Sequence, residues 1–211
     1  MTTGLQALFG ALYLGPEAWA PFAPRFRATA LQAVARPAWR DEFLARHSKT
    51  HVLIYAPPQH VDGASITLNS LRACFGVDPT VSEPSFYNQD WYLKEEFAAR
   101  QPLEAGWHLL PVSVMEEARA KPPQDIELLL DSAEKFSLAV NYAFAFFAFW
   151  LCTGGKRLWE HDFLWCRDLD HNGDRIYVGR YSDPTGINKN GFEIHRHLSL
   201  RAFYAAAPEI I

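Results

Sequence analysis

A carboxylate and two imidazoles recur at every second position in Glu193-Ile194-His195-Arg196-His197. On a strand, alternate side chains share a face, so Glu193, His195 and His197 would project together while Phe192, Ile194 and Leu198 turn toward the core. Nitrogen and oxygen donors grouped in this way suit zinc or non-haem iron. They define one reading of the chain, a metal-dependent enzyme with a Glu193/His195/His197 site. The same alternation also suits a strand face that is polar because water covers it. A fourth ligand is not identifiable and Arg196 stands inside the triplet, so no metal or other cofactor is assigned.

A second group, Asp168-Leu169-Asp170-His171-Asn172-Gly173-Asp174, has oxygens at alternate positions and a glycine at a tight turn, like the opening of a calcium loop. The match then fails, because Arg175 stands where an apolar residue belongs and Gly179 where a bidentate glutamate belongs. A hairpin turn closed by Asx side chains accounts for the same residues. Nucleophilic catalysis finds little material. The chain contains no Gly-x-Ser-x-Gly elbow, Walker loop, dinucleotide fingerprint or His-Glu-x-x-His pair, and Cys74 would need a histidine brought to it by the fold.

Aromatic residues are the more plentiful resource: Trp91, Tyr92, Trp107, Trp159, Trp165, Tyr177 and Tyr181. Most are expected in the core. Others could line a concave surface, since Trp and Tyr offer a large apolar body with a polar handle. Trp165, Tyr177, Tyr181, Asn188, His195 and His197 are therefore the expected ligand-binding residues, and recognition ranks ahead of catalysis.

The elements that must position these residues form an α+β pattern. FLWCRDL (163–169) and RIYVGRY (175–181) flank Asn172-Gly173, a strong hairpin signal, and FEIHRHLSL (192–200) alternates again. Strands that follow helices, rather than alternating with them, predict a mainly antiparallel C-terminal sheet. Ahead of it, the spacing of Ile126, Leu129, Leu130, Ala133 and Phe136 runs into the apolar stretch 136–152. This predicts one long buried helix, with Pro122 and Pro123 before it, Asp125 near its positive end and Gly154-Gly155 ending it. Its apolar part spans seventeen residues with Ser137 and Asn141 inside, short of a comfortable membrane span.

Further upstream, HVLIYAP (51–57) reads as a buried strand, ITLNSLRACFG (66–76) as a helix ended by Gly76, and 107–110 as another strand. Residues 1–47 carry high helix propensity, including the Ala-rich run 25–35 and a second helix after Pro37. The expected organisation is a helical annex over 1–50 and an α+β domain over 51–211.

With 211 residues, 49% hydrophobic and 14% aromatic, the chain can bury a substantial core. A net charge of −4 argues against a nucleic-acid partner. Locally, Arg25, Arg27, Arg36, Arg40, Arg46 and Lys49 stand against only Asp41 and Glu42. That segment is either a solvated helical face or a docking surface for a partner. Cys74, Cys152 and Cys166 form no CxxC motif and suit a reducing compartment. No Lys or Arg precedes the apolar stretch 5–14, so the charged part of a signal peptide is lacking and a cytoplasmic location is expected.

The order of HVLIYAP (51–57), VDGASITLNSL (61–71), NQDWYLKEEFA (88–98), GWHLLPVSV (106–114), the run 138–159 and RIYVGRY (175–181) resembles a family of uncharacterised bacterial proteins. The Trp-containing C-terminal strands also resemble the C-type-lectin-like fold, shared with formylglycine-generating-enzyme-like domains. The resemblance implies a lectin-like C-terminal half and supplies no established catalytic residues to carry over. With the residues above, it suggests a non-catalytic module presenting an aromatic-rich C-terminal β face to a protein or small-molecule ligand.

Overall fold

The computed structural model describes residues 3–29, 34–181, 190–196 and 199–211. Asn188, His197 and Leu198 lie outside the described residues. Along the chain run α1 (Thr3–Phe9), β1 (Tyr13–Leu14), α2 (Pro16–Trp19), a 3-10 stretch (Ala20–Phe26), α3 (Asp41–His47), β2 (His51–Ala56), α4 (Leu68–Phe75), α5 (Glu96–Ala99) and β3 (Gly106–Pro111). There follow α6 (Pro123–Glu127), β4 (Glu134–Lys135), α7 (Ala139–Cys152), β5 (Phe163–Leu169), β6 (Arg175–Gly179), β7 (Glu193–His195), β8 (Tyr204–Ala205) and β9 (Glu209–Ile210). The class is α+β.

Two sheets flank the apolar helix. One has the order β1-β2-β3-β9-β4 and is antiparallel except for the β1–β2 pair. The other has the order β7-β6-β5-β8 and is antiparallel except for β5–β8. Helix α7 packs against strands of both, and every residue from Ala139 to Trp150 is buried. A helix apolar all round needs cover all round, and two sheets provide it. Among the described residues no helix is long and apolar enough to cross a membrane.

Local signals fix several boundaries. Thr67 caps α4 in a reciprocal box: its hydroxyl accepts from the Ser70 amide (3.2 Å) and the Ser70 hydroxyl accepts from the Thr67 amide (2.8 Å). Gly76, at φ 72°, ends that helix. Helix α7 has no side-chain cap of its own. Instead the Asp168 carboxylate accepts from the Ala139 amide at 2.6 Å, placing negative charge at the helix N-terminus. Burial nonetheless pushes the Asp168 carboxyl up to about 6, against the hydrogen bond from Ala139. In β2, Leu53 packs with Leu5, Phe9, Leu44 and Leu109 on one side while Val52 and Ile54 join the main core on the other. Burial on both faces is what its unbroken apolar run requires.

Three expectations are corrected. The helix predicted from 125 through 152 is two helices separated by strand β4. Leu129 is 39% exposed and Ala133 is exposed as well, so the apolar spacing ahead of Phe136 does not form a buried stripe. Glu134 and Lys135 are drawn into the sheet by pairing with Ile210 and Glu209, and cross-strand pairing outweighs the helical spacing there. The described part of the Ala-rich run 25–35 is not helical beyond Phe26. Phe26 is locked against Trp19, Phe75 and Phe144, and Arg27 turns left-handed at φ 49°. Packing overrides propensity. Finally, the strand expected over 192–200 is confined among the described residues to Glu193–His195, with Arg196 leaving the ladder to bind Asp170 at 2.7 Å. The N-terminal fifty residues contribute β1 to the five-stranded sheet and Trp19 and Phe26 to the same core as α7.

Candidate functional site

The face expected to carry a ligand is only partly open. Trp165 and Tyr177 pair across β5 and β6, and their rings stack edgewise at 4.8 Å. Tyr204 lies 4.7 Å from Tyr177, and His195 lies 5.5 Å from it. Trp165 is 7% exposed and Tyr177 fully buried, so these two rings build the core beneath the face. Tyr181, just beyond β6, is 48% exposed. His195 and Glu193 do project together as the period of two requires, and His195 Nε2 meets Glu193 Oε2 at 2.7 Å. Among the described residues no group of three or more His, Cys, Asp or Glu side chains is placed to hold a metal ion.

The Asp168–Asp174 segment is a turn. Asp170 Oδ1 accepts from the amides of Asn172 (2.8 Å) and Asp174 (3.0 Å), and its other oxygen accepts from Arg196. Burial pushes the Cys74 thiol up, the opposite of what a nucleophile needs.

A concavity lies elsewhere, where the 36–39 segment faces β3 and β9. It encloses about 470 Å³, with Trp39 and Trp107 as apolar surfaces, Arg36 and Lys135 as cations, and Glu104, His108 and Glu209 on its polar side. Strand β9 lies between β3 and β4, with Ile210 opposite Leu109 and Glu209 opposite Lys135. This register brings Glu209 Oε1 to 2.5 Å from His108 Nδ1, both residues being buried. His108 Nε2 lies 2.7 Å from the Glu104 carbonyl oxygen.

Carboxylate and carbonyl oxygens only accept, so both ring nitrogens donate and His108 is an imidazolium. Burial opposes that charge, but the hydrogen bond to Glu209 and its negative charge outweigh burial and raise the His108 pKa. Burial likewise opposes the Glu209 carboxylate and is outweighed by His108, which lowers the Glu209 pKa.

The network continues from this pair. Ser137 Oγ donates to Glu209 Oε2 at 2.5 Å. Asn141 Nδ2 donates to Ser137 Oγ (3.2 Å) and to Glu104 Oε2 (2.9 Å), while its carbonyl accepts from the Glu104 amide (3.2 Å). Arg167 donates to Glu104 Oε1 at 2.7 Å. Serine and histidine thus bond the same carboxylate, so His108 is not positioned to take a proton from Ser137. The arrangement holds shape and charge; it does not activate a nucleophile.

No family model, curated protein or solved structure matches the chain.

The pocket's own side chains are fixed by the core. The Trp107 indole donates to the Ala35 carbonyl at 2.7 Å, and its ring rests on Tyr13 (5.9 Å) and Tyr55 (5.3 Å). None of Trp165, Tyr177, Tyr181 and His195 lines the pocket. One signal was present in the sequence: Ser137 and Asn141 interrupt an otherwise apolar run. Buried polar groups require partners, and that requirement points to a polar network beside α7. It does not reveal that the partner is Glu209.

Proposed function

We propose that the protein is a non-catalytic recognition module that takes a small ligand in the pocket between the 36–39 segment and β3. The ligand has a flat apolar body against Trp39 and Trp107 and a charged end toward Lys135 and Glu104. What supports this reading is the contrast within the pocket. Its buried polar groups are bonded to one another, while the part-exposed rings of Trp39 and Trp107 and Lys135, 29% exposed and 3.7 Å from Glu104, stand at the wall.

Ligand-observed NMR with benzoate, indole-3-acetate and benzylamine tests it. The expected result is binding at one site, weakened about tenfold or more by Trp39→Ala, with Lys135→Ala affecting the carboxylates more than the amine. Binding untouched by both substitutions, or none by any probe, refutes the pocket. Elemental analysis separates this reading from a metal-dependent one. About one zinc or iron per chain, lost in His195→Ala, would move the function to the Glu193–His195 face.

A further inference from the structure

A second site lies on the other sheet, at the C-terminal end of α7. Strand β6 turns Ile176 and Val178 into the core, and continuing the alternation one step puts Arg180 on the same side. Arg180 is 5% exposed. Its guanidinium carbon sits 4.6 Å from the centre of the Trp150 ring, and its Nη2 donates to Glu83 Oε1 at 2.6 Å. The other two donor nitrogens, Nε and Nη1, are buried and meet no acceptor among the described residues. Arg157, in the turn after α7, brings a second guanidinium to 5.2 Å from the same ring.

Two ordinary reasons account for part of this. Cations are favoured at a helix C-terminus, and an indole face attracts a guanidinium. Neither explains buried N–H groups with nothing to donate to, an arrangement that costs free energy for each unmet donor. Arg157 is itself answered, since its Nη1 donates to Glu160 at 3.1 Å, so the unmet groups are those of Arg180. Burial, with a smaller contribution from the charge of Arg157, works against the Arg180 cation; Glu83 and the charge of Glu193 only partly offset it, so its pKa is lowered. A bound oxyanion would accept from the unused donors and offset the cost of burying the Arg180 cation. The site borders solvent, since the side chains of Arg157 and Glu83 remain 29% and 25% exposed.

We propose that Arg180 and Arg157, set against Trp150, form an oxyanion-binding site that takes the phosphate or carboxylate group of a small ligand. Arg180 supplies the directed donors and Arg157 adds charge at the solvent side. The site is independent of the Trp39–Trp107 pocket, and either can fail without the other.

The test uses the full chain in a chloride buffer at constant ionic strength, titrated with inorganic phosphate, phenyl phosphate and acetate to about 20 mM each. Two readouts are followed: the thermal midpoint and the arginine Nε–H resonances. The expected result is a rise in midpoint with at least one anion, together with a shift of the one Nε–H signal that disappears in Arg180→Lys. Phosphate or phenyl phosphate acting alone identifies a phosphoryl ligand, and acetate acting alone a carboxylate. Arg157→Met should weaken the effect about tenfold while leaving the fold intact, which keeps the test decisive if Arg180 variants fold poorly. No movement of either readout with any of the three anions overturns the proposal. So does an equal midpoint rise in wild type and Arg157→Met with the Arg180 signal unmoved.

Discussion

His108 and Arg180 are both cationic side chains withdrawn from water, and the fold surrounds them in opposite ways. Each donor of His108 ends on an oxygen, one on Glu209 and one on the Glu104 backbone, and the carboxylate is itself held by Ser137. Arg180 has one donor nitrogen engaged by Glu83 and, among the described residues, two buried and unmet. A closed network of this kind specifies a structure, because every member would lose its partners if the strands slipped. A cation left partly unmet costs stability unless something arrives to meet it. The first arrangement belongs to architecture and the second to binding.

The largest expected effect comes from opening the closed network. Glu209→Ala leaves a buried imidazolium without its counter-ion and should cost about 3–5 kcal/mol in chemical denaturation. A loss under about 1 kcal/mol would mean that the pair is not buried in solution, and the contrast with Arg180 would disappear.

The pH dependence of stability sharpens the same point. The His108 pKa is raised on folding, so its contribution is complete below about 6.5 and is lost as pH rises through the folded value. The Glu209 pKa is lowered, so its contribution is complete above about 4.3 and is lost as pH falls through the folded value. Both contributions are complete together only between those limits. Asp168, held up at about 6, adds stability as pH falls below that value. The difference between wild type and Glu209→Gln isolates the pair, and it should be greatest in the mildly acidic window and shrink on both sides. A difference that stays flat from pH 4 to pH 9 would show that the pair does not titrate as described.

The smallest effect is expected at Arg180. Arg180→Met replaces a partly unmet cation with an apolar chain beside Trp150 and should leave stability within about 1 kcal/mol of wild type or raise it. It should also leave the pH profile unchanged, since a guanidinium does not titrate in that range. A loss as large as that of Glu209→Ala would place Arg180 among the structural cations and remove the reason to look for a ligand there.

Several elements were legible because their signals are local. The β-branched run 51–56, the Gly76 stop of α4, the Asn172-Gly173 hairpin and the double-glycine end of α7 each follow from residues within a turn or two of the boundary they set. The failures share a different cause. Strands β4, β8 and β9 have two residues each, too few to show a period of two. Their existence depends on pairing with distant segments. The capture of 134–135 by β9 also divided the expected long helix, whose apolar spacing was real but faced solvent at Leu129 and Ala133.

The candidate sites divide in the same way. Alternation correctly brought Glu193 and His195 together, and the same alternation carried one residue past β6 places Arg180 on the core side. Whether Trp165 and Tyr177 would be covered depended on Tyr204, which reaches them only after a parallel pairing with β5.

The amino-acid sequence alone determined the α+β class, the apolar central helix and the hairpin, because hydrophobic spacing and turn residues act over a few neighbours. The tertiary structure alone decided which polar groups meet. His108 and Glu209 are 101 residues apart and become partners only through the register of β9 between β3 and β4. Arg180 is left with unmet donors by what packs around Trp150. Hydrogen bonds and charge pairs form between whichever groups packing brings within about 3 Å, and that distance is set by the whole fold.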